Sequence, residues 1–274
     1  MPHPKAHLPT DLAAVWRRYD ADEQRLSAPL SERMLDSAGV GTGMRVLDLA
    51  TGRGEPAIRA AHRVGVSGRV VGVDVDAEML TMARARADHE GLTNLDLHAG
   101  RAENLAVDGD FDVVLARWGL MYMADPVAAL RAVRRVTRPG GVFVGAVWVE
   151  PARVPYYSLP RRVLARHVRV ADPDMNTPGT FYYADPGRLE RHLGEAGWRV
   201  ETVDEVEVPV MEARSDAELL AWVRAFGLER LLSTVPAAVS ATWEAEFLTE
   251  CRPLWSEGRA RLGGVTRIVV ARKA

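Results

Sequence analysis

Apolar and polar positions along the chain alternate between short continuous apolar runs and stretches with helical spacing. Leu12, Val15, Trp16 and Tyr19 recur at helical spacing behind Thr10 or Asp11, either of which can cap a helix. Met34, Leu35 and Ala38 share one face of a second helix, which Ser31 is placed to cap. Residues 1–9 show no periodicity and read as a loose arm. After Gly39 and the Gly41-Thr42-Gly43 turn, an apolar run ends at Leu49, and Arg69 to Asp74 forms another. A helix is predicted from Asp76 or Ala77 to His89, with Met79, Leu80, Ala83 and Ala87 inward and Gly91 as its stop. Strands are predicted over 95–98, 111–116 and 142–149, the last after Arg138-Pro139-Gly140-Gly141 and a helix over 126–137. Regularity fails over 151–184. It returns with the Asp185-Pro186 helix start, a helix to Ala196 and a strand over 198–208. The stretch 216–263 looks helical, and 266–271 gives a closing strand.

Continuous apolar strands alternating with helices require a parallel sheet covered on both faces, which is a doubly wound α/β fold. The pattern divides the chain into N-terminal lid helices (1–40), a nucleotide-binding core (41–150), a cap insertion (151–184), a core helix and strand (185–210), a helical cap insertion (211–263) and a final core strand (264–274). In such sheets ligands sit beyond the carboxyl ends of the strands. Those ends carry residues 48–54, Asp74, 100–103, 117–123 and 148–150.

Composition narrows the partners. With 47% apolar and 26% charged residues in 274, the chain suits one large domain or a domain with a smaller one appended. A formal charge of −2 gives no general attraction for nucleic acid or an anionic membrane. No apolar run approaches the roughly 20 residues of a membrane span. Cys251 stands alone, so no intrachain disulfide forms, and with no leader pattern at the start the expected compartment is the cytoplasm.

The stretch Val46-Leu-Asp-Leu-Ala-Thr-Gly-Arg-Gly-Glu-Pro56 reads strand, glycine loop, helix. Gly52 and Gly54 bring no Cβ between backbone and ligand, and Pro56 suits a first helical turn. Such a loop offers N–H groups and a helix N-terminus to an anionic group. Gly52 to Ala57 also fits the dinucleotide pattern, with Asp74 where an acid would bind ribose hydroxyls, so an NAD(P)-dependent oxidoreductase is a competing reading. Asp48 ahead of the loop argues against it; its alternative role is to order the loop's own N–H groups.

Four segments in order and spacing (Val46 to Gly54; Val71-Gly-Val-Asp-Val-Asp-Ala-Glu-Met-Leu80; Phe111-Asp-Val-Val-Leu-Ala-Arg-Trp-Gly-Leu120; Arg138-Pro-Gly-Gly-Val-Phe143) resemble the class I S-adenosylmethionine-dependent methyltransferases. The resemblance covers about residues 40–150 and is greatest to the branch with ubiquinone and menaquinone biosynthesis and bacterial natural-product enzymes. It implies a Rossmann-like, seven-stranded, mostly parallel sheet with an antiparallel returning strand and a mainly helical cap. It further implies that Ala50 and Gly52 meet the methionyl end of the cofactor, Asp74 the ribose hydroxyls, and Val75 and Met79 the adenine faces. Arg101 and Ala102 stand at the adenine edge, and Arg117 and Trp118 beside the methyl group. Ala50 replaces the usual first glycine, and Arg101 replaces a frequent Asp, leaving Glu103 or a backbone carbonyl to accept from the adenine amino group.

Methyl transfer from a sulfonium needs mainly positioning and exclusion of water. Tyr19, Trp118, Tyr122 and Trp148 are candidate walls near the strand ends, where aromatic faces tolerate the cation, with Met121 and Met123 as an apolar lining. Tyr19 serves as a lid over the cofactor or as core packing. An acceptor that must lose a proton needs a base, for which Glu150 and His167 are the candidates; each is equally a solvated surface group. Arg161, Arg162, Arg166 and Arg169 form a solvated face, or turn inward to hold a phosphate-bearing acceptor. The chain is thus read as a transferase moving the methyl of S-adenosylmethionine to C, O or N of a small, mostly apolar aromatic or prenyl metabolite in natural product biosynthesis. It uses no metal, binds no nucleic acid or membrane, and is compatible with a homodimer. A non-catalytic S-adenosylmethionine-binding protein is the remaining alternative.

Overall fold

The structure, a computed structural model, describes residues 12–274, with side chains from Arg18 onward. The expected arm and the caps Thr10 and Asp11 lie outside the described residues, as do the side chains of Leu12, Val15 and Trp16. The strands are β1 (Arg45–Leu49), β2 (Arg69–Asp74), β3 (Leu95–Ala99), β4 (Phe111–Arg117), β5 (Thr137–Trp148), β6 (Trp198–Ala213), β7 (Trp255–Ser256) and β8 (Arg259–Lys273). The helices are α1 (Leu12–Ser37), α2 (Ala57–Val64), α3 (Ala77–His89), α4 (Pro126–Val136), α5 (Pro155–Leu164), α6 (Pro186–Glu195), α7 (Asp216–Val223), α8 (Glu229–Leu232) and α9 (Ala237–Cys251).

One sheet of order β3-β2-β1-β4-β5-β8-β6 contains all of these strands, with β7 paired to β8. The pairs β1 with β2, β1 with β4, β2 with β3 and β4 with β5 are parallel, and β8 returns antiparallel to β5. This is the expected doubly wound, mostly parallel α/β sheet with its returning strand. It has eight strands, not seven, because β7 and β8 form a hairpin where a helical insertion was expected. Glu257 and Gly258 between them both take positive φ, 50° and 73°, the two-residue turn that matches the twist of a hairpin.

The chain divides into two compact units. The first comprises Ala28–Val149, Met175–Val206 and Thr266–Ala274. Successive residues of β1, β2 and β4 are buried, so both faces of these strands are covered. Helix α2 packs on β1 and β2, α3 on β2 and β3, and α4 on β5 and α6. Asp76 caps α3 through the N–H groups of Glu78 and Met79 at 3.1 and 3.3 Å, and the buried set of α3 is the predicted Met79, Leu80, Ala83 and Ala87. Asp125 and Asp185 cap α4 and α6, each followed by proline. Helix α4 ends at Val136, and β5 starts earlier than predicted because Thr137 pairs with Phe111.

The second unit comprises the described residues up to Ser27, then Glu150–Asp174 and Glu207–Val265. Trp243 and Phe247 of α9 stack at 5.3 Å, fully buried, and Trp243 Nε1 donates to the Pro160 carbonyl at 2.9 Å. Glu212 of β6 accepts from Arg25 and Arg261, each at 2.8 Å, and from Arg259, which ties α1, β6 and β8. Burial alone would push its carboxyl up; the arginines outweigh it and hold the pKa down at about 2.

The two predicted N-terminal helices are one. Helix α1 runs through Pro29, and Ser31 is a fully buried interior residue, not a cap. Leu26, Leu30 and Met34 recur at four-residue steps and are buried, and that apolar burial outweighs the backbone N–H that Pro29 lacks. Among the described residues no helix is long and apolar enough to cross a membrane.

Candidate functional site

The sheet order reverses between β1 and β4, the place where open α/β sheets hold their ligands. The glycine loop leaves β1 there. Ala50, Gly52 and Gly54 all take positive φ (52°, 54° and 89°), a conformation that costs a non-glycine residue about 1–2 kcal/mol. The loop is fastened to β2 by two bonds: Thr51 N–H to the Val73 carbonyl at 3.1 Å, and Gly52 N–H to Asp74 Oδ2 at 2.8 Å. The other oxygen of Asp74 accepts the Asp76 N–H at 2.9 Å, so two backbone amides hold the carboxylate at the strand end.

The two loop glycines have different reasons. A Cβ on Gly54 would come within 2.8 Å of Ile58 Cδ1 and 3.3 Å of Ala83 Cβ, and its φ of 89° disfavours any side chain there. A Cβ on Gly52 would meet nothing closer than the Ala50 carbonyl at 4.0 Å and would project into open space before the loop. That space is the cradle a small-molecule ligand needs. Val75 follows Asp74 and is 49% exposed, while Met79 one turn later is buried. An oriented carboxylate flanked by an exposed apolar side chain fits a ribose with its adenine.

Beneath the loop lies a charged layer of Asp48, Arg53, Glu55, Arg86 and Arg117. Asp48 is fully buried, and neither carboxylate oxygen has a partner within hydrogen-bond geometry. Burial pushes its pKa up to about 7; the nearby Thr51 hydroxyl, Arg117 and the Ala57 N–H pull the other way, and Glu55 adds to the rise. Arg53 is buried too, and desolvation together with Arg117 and Arg86 lowers its pKa to about 9. Arg86 donates to the Arg53 carbonyl at 2.9 Å, and Glu55 pairs with Arg59 at 2.7 Å.

The end of β4 meets the loop directly. A Cβ on Gly119 would lie 2.3 Å from Ala50 Cβ, so this glycine is required by the approach of the two chains. Trp118 before it takes φ 54°, held by its N–H to the Ala146 carbonyl at 2.8 Å and by Nε1 to Thr266 Oγ1 at 3.1 Å. Its indole stacks on Trp148 of β5 at 4.6 Å and 14°, and the Arg117 guanidinium lies 4.9 Å over the ring. With Trp148 stacked against it and the Arg117 guanidinium over its ring, the indole is a fixed wall. Tyr122 joins its hydroxyl to Thr180 at 2.9 Å. Ala102 is buried and Arg101 exposed. Glu103 Oε1 accepts from Arg101 and from the Ala124 and Asp125 N–H groups at 3.1 and 3.5 Å, which ties this carboxylate to the start of α4 through one of its oxygens.

Asp48, Ala50, Gly52, Asp74, Val75, Met79, Arg101, Ala102, Arg117, Trp118 and Tyr122 thus belong to one compact unit, whereas Tyr19, Glu150 and His167 belong to the other. There Tyr19 packs against Trp222 and Phe226 at 5.6 and 5.8 Å, and burial raises its pKa. Glu150 is 43% exposed and pairs with Arg153 at 3.6 Å, and His167 pairs with Glu246 at 3.1 Å. Gly119, Thr51 and Arg53 fell within the strand-end ranges 48–54 and 117–123 but were not singled out, and Thr266 went unrecognised in the sequence. A glycine directly after a strand-end tryptophan was a usable signal for the first; nothing local marks Thr266. No group of His, Cys, Asp and Glu among the described residues could hold a metal ion.

Comparison with known proteins places this geometry. A family model described as a methyltransferase domain matches residues 41–159. Nocamycin O-methyltransferase of Saccharothrix syringae is 30% identical over 246 residues, 85% of this chain and 86% of that protein. A ubiquinone/menaquinone biosynthesis C-methyltransferase of Shewanella woodyi is 37% identical over 119 residues, 43% of this chain and 47% of that one. The chain spans about half the length of several relatives: uncharacterized proteins of Mycobacterium tuberculosis and Mycobacterium bovis match at 36% over 138 residues, 49% of each. A crystal structure of an S-adenosylmethionine-dependent methyltransferase from Aquifex aeolicus superposes with a TM-score of 0.54 at 22% identity, over 71% of this chain and 92% of that one, a likeness of fold. The chain belongs to the class I S-adenosylmethionine-dependent methyltransferases.

Proposed function

We propose that the chain transfers the methyl group of S-adenosylmethionine to carbon, oxygen or nitrogen of a small, mostly apolar aromatic or prenyl metabolite in natural product biosynthesis. The observation that carries this reading is the contact of two built features in one unit: the Asp74-clamped loop with its open cradle, and the Trp118–Trp148 stack that abuts the loop through Gly119 and Ala50. S-adenosylmethionine supplies an electrophilic methyl on sulfur. In this reading Asp74 accepts the ribose hydroxyls, Val75 and Met79 flank adenine, Arg101 and Ala102 border its edge, and Ala50 and Gly52 present backbone to the methionyl end. Asp48 keeps a buried carboxyl beneath the loop. Arg117, Trp118 and Tyr122 shape the wall beside the transferred group and exclude water. Tyr19 acts as a lid residue, and Glu150 or His167 takes the proton of an acceptor that must lose one. The nocamycin relative, similar over most of its length, supports a small natural-product acceptor. The proposed setting is cytoplasmic, with a homodimer as the proposed assembly.

Titration calorimetry with S-adenosylhomocysteine tests the cofactor half. Asp74→Asn removes a carboxylate whose charge-assisted bonds are worth about 1.5–3 kcal/mol, so affinity should fall about ten- to a hundredfold. Undiminished binding by Asp74→Asn would refute the assignment. Incubating the protein with S-adenosylmethionine and a panel of phenols, polyketide acids and prenylated quinols, with mass detection of a methyl gain, tests the acceptor half.

A further inference from the structure

Helix α5 carries a guanidinium with no counter-charge. Of the basic residues on this segment, Arg162 and Arg166 reach the carboxylates Glu250 and Glu246 of α9, Arg162 to Glu250 at 3.4 Å and Arg166 to Glu246 at 3.3 Å, which makes them the solvated face expected of a charge run. Arg161 does otherwise. Its guanidinium carbon lies 3.7 Å from the centre of the Tyr157 ring on the preceding turn, and Nη1 donates to the Tyr157 carbonyl at 3.1 Å. Among the described residues no Asp or Glu pairs with it. The groups that act on it electrostatically are the phenols of Tyr157 and Tyr156, and desolvation lowers its pKa. Arg161 is half-buried, and a guanidinium partly withdrawn from water is ordinarily matched by an anion. Arg161 spends Nη1 on a backbone carbonyl, and the Nε–Nη2 edge of its fork keeps the geometry that takes two oxygens of one planar or tetrahedral oxyanion. Tyr157 covers one face of the guanidinium, which fixes the direction of that edge.

We propose that Arg161, braced on Tyr157, is an oxyanion-recognition residue for a small aromatic ligand bearing a carboxylate or a phosphate monoester. This rests on the methyltransferase reading only for the ligand's identity, since in that reading the ligand is the methyl acceptor. The acceptor is then an aromatic acid or phosphate and not a neutral prenyl chain.

The test uses the full chain, saturated with S-adenosylhomocysteine, and three probes of matched size: benzoate, phenyl phosphate and benzamide. Ligand-observed NMR titration should show saturable binding of one or both anions and at least tenfold weaker binding of benzamide. Arg161→Gln should abolish the preference, and Arg161→Lys, which keeps the charge and loses the fork, should retain only part of it. The anion that binds more tightly names the group. Equal binding of benzoate, phenyl phosphate and benzamide by the wild-type chain overturns the proposal without recourse to a variant, as does an anion preference that survives in Arg161→Gln. Loss of S-adenosylhomocysteine binding by the wild-type chain would instead defeat the methyltransferase reading, so the two failures are told apart.

Discussion

Gly119→Ala adds one methyl group at the point where the end of β4 touches the glycine loop, and its effect can be worked from the coordinates. The new Cβ would stand 2.3 Å from Ala50 Cβ, 3.4 Å from the Leu49 carbonyl and 3.6 Å from Ala50 Cα. Carbon atoms rest at about 3.5–4.0 Å, so the two methyls must part by more than about 1 Å. On the loop side, the yielding partner is the Ala50–Gly52 stretch, and its displacement pulls on the 2.8 Å bond from Gly52 to Asp74. Overpacking costs about 1–3 kcal/mol. Charged to cofactor affinity, that is about a five- to hundredfold weaker binding of S-adenosylhomocysteine. Ala50→Gly removes the other methyl and relieves a positive φ of 52°, so by itself it should leave affinity near wild type. The double variant should recover most of what Gly119→Ala loses, with a coupling of about 1–3 kcal/mol in the cycle. Calorimetry on the four proteins reads this directly. Additive effects, or wild-type affinity in Gly119→Ala, would show that the approach of the two loops does not set the cofactor site.

Two other perturbations probe the same unit. The folded pKa of Asp48, about 7, lies above its ordinary value of 3.8, so the folded chain binds more protons between them and loses stability as pH rises through that window; Asp48→Asn should therefore gain on wild type in urea melts from pH 5 to pH 8, by about 3 kcal/mol, and a pH-independent difference would contradict the buried-acid account. Thr266→Val keeps shape and removes the acceptor of Trp118 Nε1, leaving a donor whose loss costs about 1–3 kcal/mol; the exciton couplet expected in circular dichroism from two indoles 4.6 Å apart should weaken in Thr266→Val and persist in Thr266→Ser, and an unchanged couplet would mean the hydrogen bond does not hold the stack.

What could be read from residue order follows the range of the interactions concerned. Strand β2 runs over the predicted Arg69–Asp74, and α3 buries the predicted face behind its Asp76 cap, because period and capping are set within a few residues. Asp74 could be singled out for the same reason: the turn that orients it, through Gly52 and Asp76, follows from glycine and strand positions. Helix α1 was split because Pro29 and Ser31 carry the local signs of an end, and burial of Leu26, Leu30 and Met34 overrode them. The hairpin of β7 and β8 did have a local sign, the Glu257-Gly258 pair, which the aromatic, helix-like run before it obscured. Trp118 was expected as a wall beside the methyl group, while its stack on Trp148 and its bond to Thr266 join positions 118, 148 and 266, which no spacing rule connects.

The same contrast bears on where selectivity resides. Every residue assigned to the cofactor except Tyr19 falls between Asp48 and Trp118, in one unit, and several act through backbone geometry: positive φ at Ala50 and Gly52, an amide clamp on Asp74, a missing Cβ at Gly119. Backbone geometry admits few residue types, so such a site leaves a pattern in the sequence. Arg161, Tyr157, Glu150 and His167 sit in the other unit, and there the candidate chemistry lies in side chains rather than in backbone geometry. Side-chain recognition of an acceptor can be met by many residue types. The acceptor is therefore the part of the function that sequence pattern carries least, and the uncompensated guanidinium of Arg161 is the first chemical constraint on it.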